Sequence, residues 1–141
     1  MALETLKKDK SKPNIPQESN QETNQVKMIL MLYDGSIVYL KKAIEFAKDK
    51  DIKNKNIYIN KAADIIIELN NALDEKTGGE IAINLRSLYI FMGRHLVDAS
   101  INDNSKGLNE VIRMLSSLKE GWESILEEGN KKKTINTMMD N

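Results

Sequence analysis

Apolar residues recur at alternating steps of three and four along most of this chain. Because an α-helix turns once every 3.6 residues, that spacing gathers apolar side chains on one face of a helix. The pattern predicts helices over residues 24–50, 52–73, 80–102 and 105–128, separated by short polar connections. Four amphipathic helices joined in this way pack most simply as an antiparallel four-helix bundle, so the predicted fold class is all-α.

The predicted connections contain capping and turn residues. Asp51 or Asn54 can cap the second helix, and the polar residues 102–105 end the third helix and cap the fourth. Thr77 and Glu80 have the spacing of a capping box, and the two glycines between them permit a tight reversal.

The segments outside the predicted bundle differ from it in composition. Residues 1–23 contain both prolines and no aromatic residue, and a run of lysines follows the fourth predicted helix. Such segments bury too little apolar surface to offset the entropy lost on ordering. The sequence therefore predicts a flexible N-terminal segment over residues 1–23, a bundle domain over 24–128 and a short flexible C-terminal tail over 129–141.

Individual positions carry specific expectations about packing. Ile81 and Leu88 are expected to be buried on the third helix, and Ile125 on the fourth. Trp122 is expected in the core, with its indole N–H bound to a polar partner. Gly35 occupies a costly position inside the first helix, which predicts a close approach by another backbone.

The predicted helices carry more apolar residues than one core-facing stripe requires. Three consecutive isoleucines on the second helix span about 200° of its circumference, so we place Ile67, with Ala63 one turn before it, outside the core. On the third helix Ile83, Ile90 and Val97 repeat every seventh residue. Together with apolar residues of the first and fourth helices, these positions form the predicted partner-binding surface: Leu32, Tyr39, Phe46, Ala63, Ile67, Ile83, Ile90, Val97, Ile101 and Met114.

The second set of apolar positions is open to more than one interpretation. Scattered apolar residues are normal on protein surfaces, whereas a regularly spaced row indicates a contact surface. One hypothesis is a protein that binds an amphipathic or extended segment of another chain in surface grooves. The alternative is a structural or regulatory bundle that dimerises through the same stripes.

Composition and charge narrow the classes of function. Acidic and basic residues are equal in number, and no basic patch stands out, so nucleic acid is not the expected partner. No apolar run is long enough to span a bilayer, and the N-terminus lacks a signal-peptide pattern, so no membrane insertion is expected. Cysteine is absent, which fits the cytoplasm, our predicted location.

The inventory of catalytic groups is small. There is no cysteine, and His95 is the single histidine, predicted at the edge of the core-facing stripe of the third helix. A di-metal bundle needs Glu-x-x-His repeats on two helices, but Met92 lies three residues before His95. Carboxylates such as Asp34 and Glu68 have the spacing of solvated helix faces or of ion pairs between helices. The sequence therefore predicts neither an enzyme nor a bound metal or cofactor.

Four stretches in order resemble one known family. The first is Met-Leu-Tyr-Asp-Gly at residues 31–35, and the second is Lys-Ala-Ala-Asp-Ile-Ile at residues 61–66. Gly-Gly-Glu-Ile-Ala at residues 78–82 is the third, and the fourth helix adds residues 110–112 with Trp122. Together they are similar to the flagellin export chaperones, the FliS family, over about residues 27–128.

The resemblance implies a cytoplasmic chaperone with an antiparallel helical bundle. Members of that family wrap the disordered C-terminal part of flagellin around their outside and prevent its premature polymerisation. They also help to deliver the subunit to the flagellar export gate. On this basis we expect a flagellin C-terminal segment as the partner, and a chaperone that is a monomer or a weak homodimer.

Overall fold

Four α-helices make up the part of the chain that the structure describes. The structure is a computed structural model, and it describes the backbone of residues 18–139 and the side chains of 24–131, except those of residues 75 and 77, and of 138–139. The helices are α1 (Glu18–Lys48), α2 (Ile52–Asn71), α3 (Glu75–Ile101) and α4 (Ser105–Met139). The all-α prediction is therefore confirmed.

The helices form a ring around one apolar core. Each packs against the helices before and after it in the chain, and α4 closes the ring by packing against α1. Because the connections are only three residues long, consecutive helices run antiparallel. All four helices contribute to the buried cluster: Leu32, Tyr33, Ile37, Leu40, Ala43, Ile59, Ala62, Ile66, Leu69, Tyr89, Met92, Leu96, Ala99, Leu108, Val111 and Leu115.

Short polar side chains begin three of the helices. Of the two candidate caps, Asp51 is the one used: it accepts a hydrogen bond from the backbone N–H of Asn54 at 3.2 Å. Asn104 begins α4 in the same way by accepting from the N–H of Gly107 at 3.0 Å. The cap of α3 differs from the prediction, because Asp74 accepts from the N–H of Lys76. The side chain of Thr77, half of the predicted capping box, lies outside the described residues.

The helix boundaries differ from the sequence-based ones at three places. α3 begins at Glu75 and contains a break at Gly79, whose φ of 54° and ψ of −130° are not helical. α4 continues to Met139, whereas the periodic pattern ends near residue 128. Helix α1 begins at Glu18, within the segment predicted to be flexible; residues 1–17 of that segment lie outside the described residues.

Four local packing expectations are wrong. Ile81 is 72% exposed, and Leu88 and Ile125 are also exposed, although each repeats at the spacing of the core-facing stripe of its helix. A Cβ atom at Gly35 would lie 3.5 Å from the Cδ1 atom of Ile65, which is ordinary contact with a side chain. Gly35 therefore marks no close approach by another backbone.

A buried polar cluster joins three helices. The indole N–H of Trp122 on α4 donates to the Tyr33 hydroxyl at 3.2 Å, as the sequence predicted. The same hydroxyl is hydrogen-bonded to that of Tyr89 on α3. Burial raises the pKa of both tyrosines, because the phenolate form is poorly solvated there.

Candidate partner-binding groove

An open apolar groove runs between α2 and α3. It has a volume of about 600 Å³, and its floor is formed by the buried side chains of Ile66 and Tyr89. Its walls are apolar and exposed, since Ile67 is 53% and Val97 is 59% accessible. The residues that line it are Ala63, Ile66, Ile67, Asn70, Tyr89, Ile90, Gly93, Arg94, Val97, Asp98 and Ile101.

Small residues on facing helices keep this groove open. Ala63 on α2 and Gly93 on α3 both line it, and a Cβ atom at Gly93 would meet nothing within 4 Å. Ile90 and Val97 flank Gly93 by three and four residues, which places all three on the same face of α3. The result is a row of large apolar side chains interrupted by a gap that an incoming side chain can fill.

Polar groups lie along one rim of the groove. Asp98 accepts hydrogen bonds from the side-chain amides of Asn104 at 2.7 Å and Asn102 at 2.9 Å. These bonds hold the pKa of the Asp98 carboxyl below its usual range. The carboxylate is thereby tied to the connection between α3 and α4, while Arg94 lies one turn before it on the same helix. The groove therefore offers an apolar interior with charged groups at its edge, the usual composition of a segment-binding site.

Five predicted partner-binding residues meet in this groove. They are Ala63 and Ile67 on α2 and Ile90, Val97 and Ile101 on α3. Two others lie elsewhere on the surface: Ile83 is 52% exposed on α3 but does not line the groove. Met114 is half-buried and lines a second, smaller cleft of about 310 Å³ between α3 and α4, together with Leu88.

Tyr39 and Phe46 belong to a different face, between α1 and α2. Phe46 stacks on Tyr58 with ring centroids 5.4 Å apart, and Tyr39 lies 5.9 Å from the same ring. The ammonium groups of Lys42 and Lys61 lie 5.3 and 5.0 Å from the centre of the Tyr58 ring. These half-buried rings already pack against one another, so they are not part of an open groove.

Leu32 is not a surface residue. Only 4% of it is exposed, and it belongs to the apolar core. Leu32 lies about one turn before Gly35, whose Cβ position is 3.5 Å from Ile65 of α2, so this side of α1 faces α2 and not solvent. Its predicted exposure to a partner is wrong.

Several groove residues were missed by sequence reasoning. Asn70, Gly93, Arg94 and Asp98 line the groove but were not among the predicted positions. The spacing of Gly93, three residues after Ile90 and four before Val97, places it on the same helix face as these two predicted residues. The prediction considered only large apolar side chains, and therefore overlooked a residue that acts by leaving space.

The surroundings of His95 indicate a structural role. Its Nε2 atom lies 3.3 Å from a carboxylate oxygen of Glu110 on α4, and its ring packs edge-on against Phe91. Within the described residues, no group of three or more histidine, aspartate or glutamate side chains is placed to hold a metal ion. In the same part of the chain, none of the helices combines the length and apolarity needed to cross a bilayer.

Known proteins similar to this chain share one description. A family model for the flagellar protein FliS matches residues 11–129. The flagellar secretion chaperone FliS of Salmonella typhimurium is 37% identical over 99 residues, which cover 70% of this chain and 73% of that protein. FliSB of Pseudomonas aeruginosa is 36% identical over 104 residues, covering 74% and 82%. The Campylobacter jejuni FliS is 33% identical over 99 residues, covering 70% and 77%.

These matches agree with the resemblance seen in the sequence and with the helical bundle. They also agree with the prediction that the chain is not an enzyme, because the relatives are secretion chaperones. The chain belongs to the FliS family of flagellar secretion chaperones.

Proposed function

We propose that this chain is a cytoplasmic chaperone for flagellin. It binds the disordered C-terminal region of flagellin, prevents premature polymerisation and assists delivery of the subunit to the flagellar export gate. The observation that carries the proposal is the open apolar groove between α2 and α3. Membership of a flagellar secretion chaperone family supports it independently.

The groove has the properties that a segment-binding surface needs. A helix or extended segment that lies in it would cover the exposed parts of Ile67, Ile90 and Val97. Burial of apolar surface contributes about 25 cal/mol per Å², so a few such side chains supply several kcal/mol. Because a client segment that is disordered when free must be ordered on binding, part of that free energy offsets its lost entropy.

Substitution of one exposed residue tests the proposal. Ile90→Asp should leave the fold intact, because the side chain is 47% exposed, but should weaken binding of a flagellin C-terminal peptide. A carboxylate buried by the peptide would lose its water, so affinity should fall by about 2 kcal/mol or more. Isothermal titration calorimetry measures the affinity, and circular dichroism checks the fold.

Met92→Asp is the matched control on the same helix. Met92 is fully buried, so the same charge should unfold the bundle instead of acting on binding alone. If Ile90→Asp bound the peptide with unchanged affinity, the groove would not be the flagellin site.

The Ile90→Asp variant also separates a chaperone from a bundle that dimerises through its apolar surface. Size-exclusion chromatography of the free protein, with and without peptide, gives the oligomeric state. A chaperone should be a monomer or weak homodimer that forms a complex with the peptide. A stable dimer that Ile90→Asp dissociates, with no peptide binding, would support the alternative.

A further inference from the structure

Lys55 is a buried cation near one end of the groove. It lies four residues before Ile59 on the core-facing stripe of α2, and only 5% of it is exposed. Its Nζ atom donates to the backbone oxygen of Ala99 in the last turn of α3, at 3.0 Å. An ammonium group has three N–H donors, and Lys55 forms no ion pair with any residue that the structure describes. Since a buried charge is costly without a partner, an anion at this position would be stabilised.

A cavity beside Lys55 adjoins the α2–α3 groove. It has a volume of about 260 Å³, and Ile101 lines both the cavity and the groove. Its lining also includes Lys50, in the connection between α1 and α2, and Asp103, in the connection between α3 and α4. Two lysines against one aspartate give this cavity a positive balance, whereas the groove itself is largely apolar. Ile101 therefore borders a largely apolar space on α2 and α3 and a second space that contains a buried cation.

We propose that Lys55 binds the terminal carboxylate of the segment that occupies the groove. The proposal rests on the proposed function, because it specifies which end of the flagellin segment lies here. A chain that ends at Ile101 would place its α-carboxylate in the cavity, where the Lys55 ammonium group has donors to offer. The client then runs parallel to α3, with its C-terminus at the Ile101 end of the groove.

Two forms of one peptide test this assignment. A synthetic peptide that ends at the natural C-terminus of flagellin is prepared as the free acid and as the C-terminal amide. Calorimetry should show that the unmodified protein binds the free acid about tenfold or more tightly than the amide, the size of a charge-assisted hydrogen bond. Lys55→Met should bind both peptides equally, with the affinity that the unmodified protein has for the amide.

Lys53→Met is the matched control. It removes the same charge from an exposed position on the same helix, so the preference for the free acid should persist. Equal binding of both peptides to the unmodified protein would overturn the carboxylate assignment and leave the proposed function intact. A tenfold preference that survives in Lys55→Met would also overturn it. Failure of both peptides to bind the unmodified protein would instead contradict the proposed function.

A second variant covers the case in which Lys55→Met does not fold. Ser100 lines the cavity and is part-exposed. Ser100→Asp adds a carboxylate of the chaperone itself beside Lys55, so it should abolish the preference for the free acid while the amide still binds. A preference that remains tenfold in Ser100→Asp would refute the role of Lys55.

Discussion

Two glycines show that glycine can lower or raise the stability of the fold, depending on the backbone conformation at its position. Gly35 lies inside α1, where the backbone is helical and a methyl group would make ordinary contact with Ile65. Gly79 interrupts α3 with a φ of 54°, a conformation that side-chain-bearing residues rarely adopt. The sequence identifies both as glycines, but only the backbone shows which of them is required.

We therefore expect opposite changes in stability from the same substitution. Gly35→Ala should raise the free energy of unfolding by about 0.5–1 kcal/mol, because alanine restricts the unfolded chain and favours the helix. Gly79→Ala should lower it by about 1–2 kcal/mol, because alanine is strained at positive φ. Urea unfolding followed by circular dichroism measures both. A loss of stability in Gly35→Ala would show that the site cannot accommodate a methyl group.

Single residues also show where periodicity succeeds and where it fails. The pattern correctly placed Ile90 outside the core and Met92 inside it, because the two residues point in very different directions around α3. It also placed Ile67 of α2 correctly at the surface. It misplaced Leu32 and Ile81, because burial also depends on how far the neighbouring helix extends, which one helix's sequence does not specify. Lys55 lies four residues before Ile59, on the apolar stripe of α2, and this position is buried. Sequence reasoning did not predict its burial, because lysine side chains are normally exposed to solvent.

At the scale of the helices, the hydroxyl cluster holds three elements in register. Tyr33 of α1 bonds both Tyr89 of α3 and Trp122 of α4, and the ring of Tyr89 also forms part of the groove floor. The polar atoms of this cluster form hydrogen bonds with one another inside an apolar core, so loss of one hydroxyl leaves another polar atom without that hydrogen bond. The position of α3 relative to the other helices therefore depends on groups that also define the groove.

The raised tyrosine pKa values predict a loss of stability in alkali. An unfolded tyrosine loses its proton near pH 10, whereas Tyr33 and Tyr89 keep theirs to higher pH in the folded protein. Above about pH 10 the unfolded state therefore binds fewer protons, so the free energy of unfolding falls as pH rises; below that pH this contribution is constant.

Tyr89→Phe provides the comparison. At neutral pH it should be less stable by about 1 kcal/mol, because the Tyr33 hydroxyl loses a partner. Above about pH 10 its stability should fall less steeply, because one group with a raised pKa is gone. Urea unfolding followed by the fluorescence of Trp122 measures both effects. Equal slopes in the two proteins would show that Tyr89 does not contribute to the alkaline loss.

Helix ends were the least predictable feature at this scale. The pattern placed the centres of all four helices, because those are where the core-facing apolar residues recur. It ended the fourth helix near residue 128, whereas α4 continues to Met139. The residues beyond 128 are mostly polar, so no apolar periodicity marks this part of the helix. Caps were predicted at two helix starts, where Asp51 and Asn104 accept hydrogen bonds from backbone N–H groups, but not at α3, which Asp74 caps.

For the whole molecule, the proposed function implies a conflict between stability and binding at the groove. A bundle optimised for stability would fill the space between α2 and α3, yet Ala63 and Gly93 leave it open, and Ile90 and Val97 remain exposed beside it. Gly93 also lowers the stability of α3, because glycine is costly inside a helix. If this open surface serves a client, then filling it should make the protein more stable and less functional.

Gly93→Leu tests this trade-off directly. A Cβ atom at this position would meet no neighbouring atom within 4 Å, and Gly93 lines the groove, so we expect the leucine side chain to enter it. Leucine also favours the helix, so the free energy of unfolding should rise by about 0.5–1 kcal/mol. Affinity for the flagellin peptide should fall about tenfold or more, because the substituted side chain occupies the space that the peptide needs.

Gly121→Leu is the control, because Gly121 is an exposed position on α4 with the same free space and does not line the α2–α3 groove. It should gain stability to a similar extent and bind the peptide normally. That result would exclude increased helix stability as the cause of the weaker binding in Gly93→Leu. Calorimetry and urea unfolding of the two variants give the comparison. If Gly93→Leu gained stability and still bound the peptide with unchanged affinity, the open groove would not be where flagellin lies, and the cleft between α3 and α4 would be tested next.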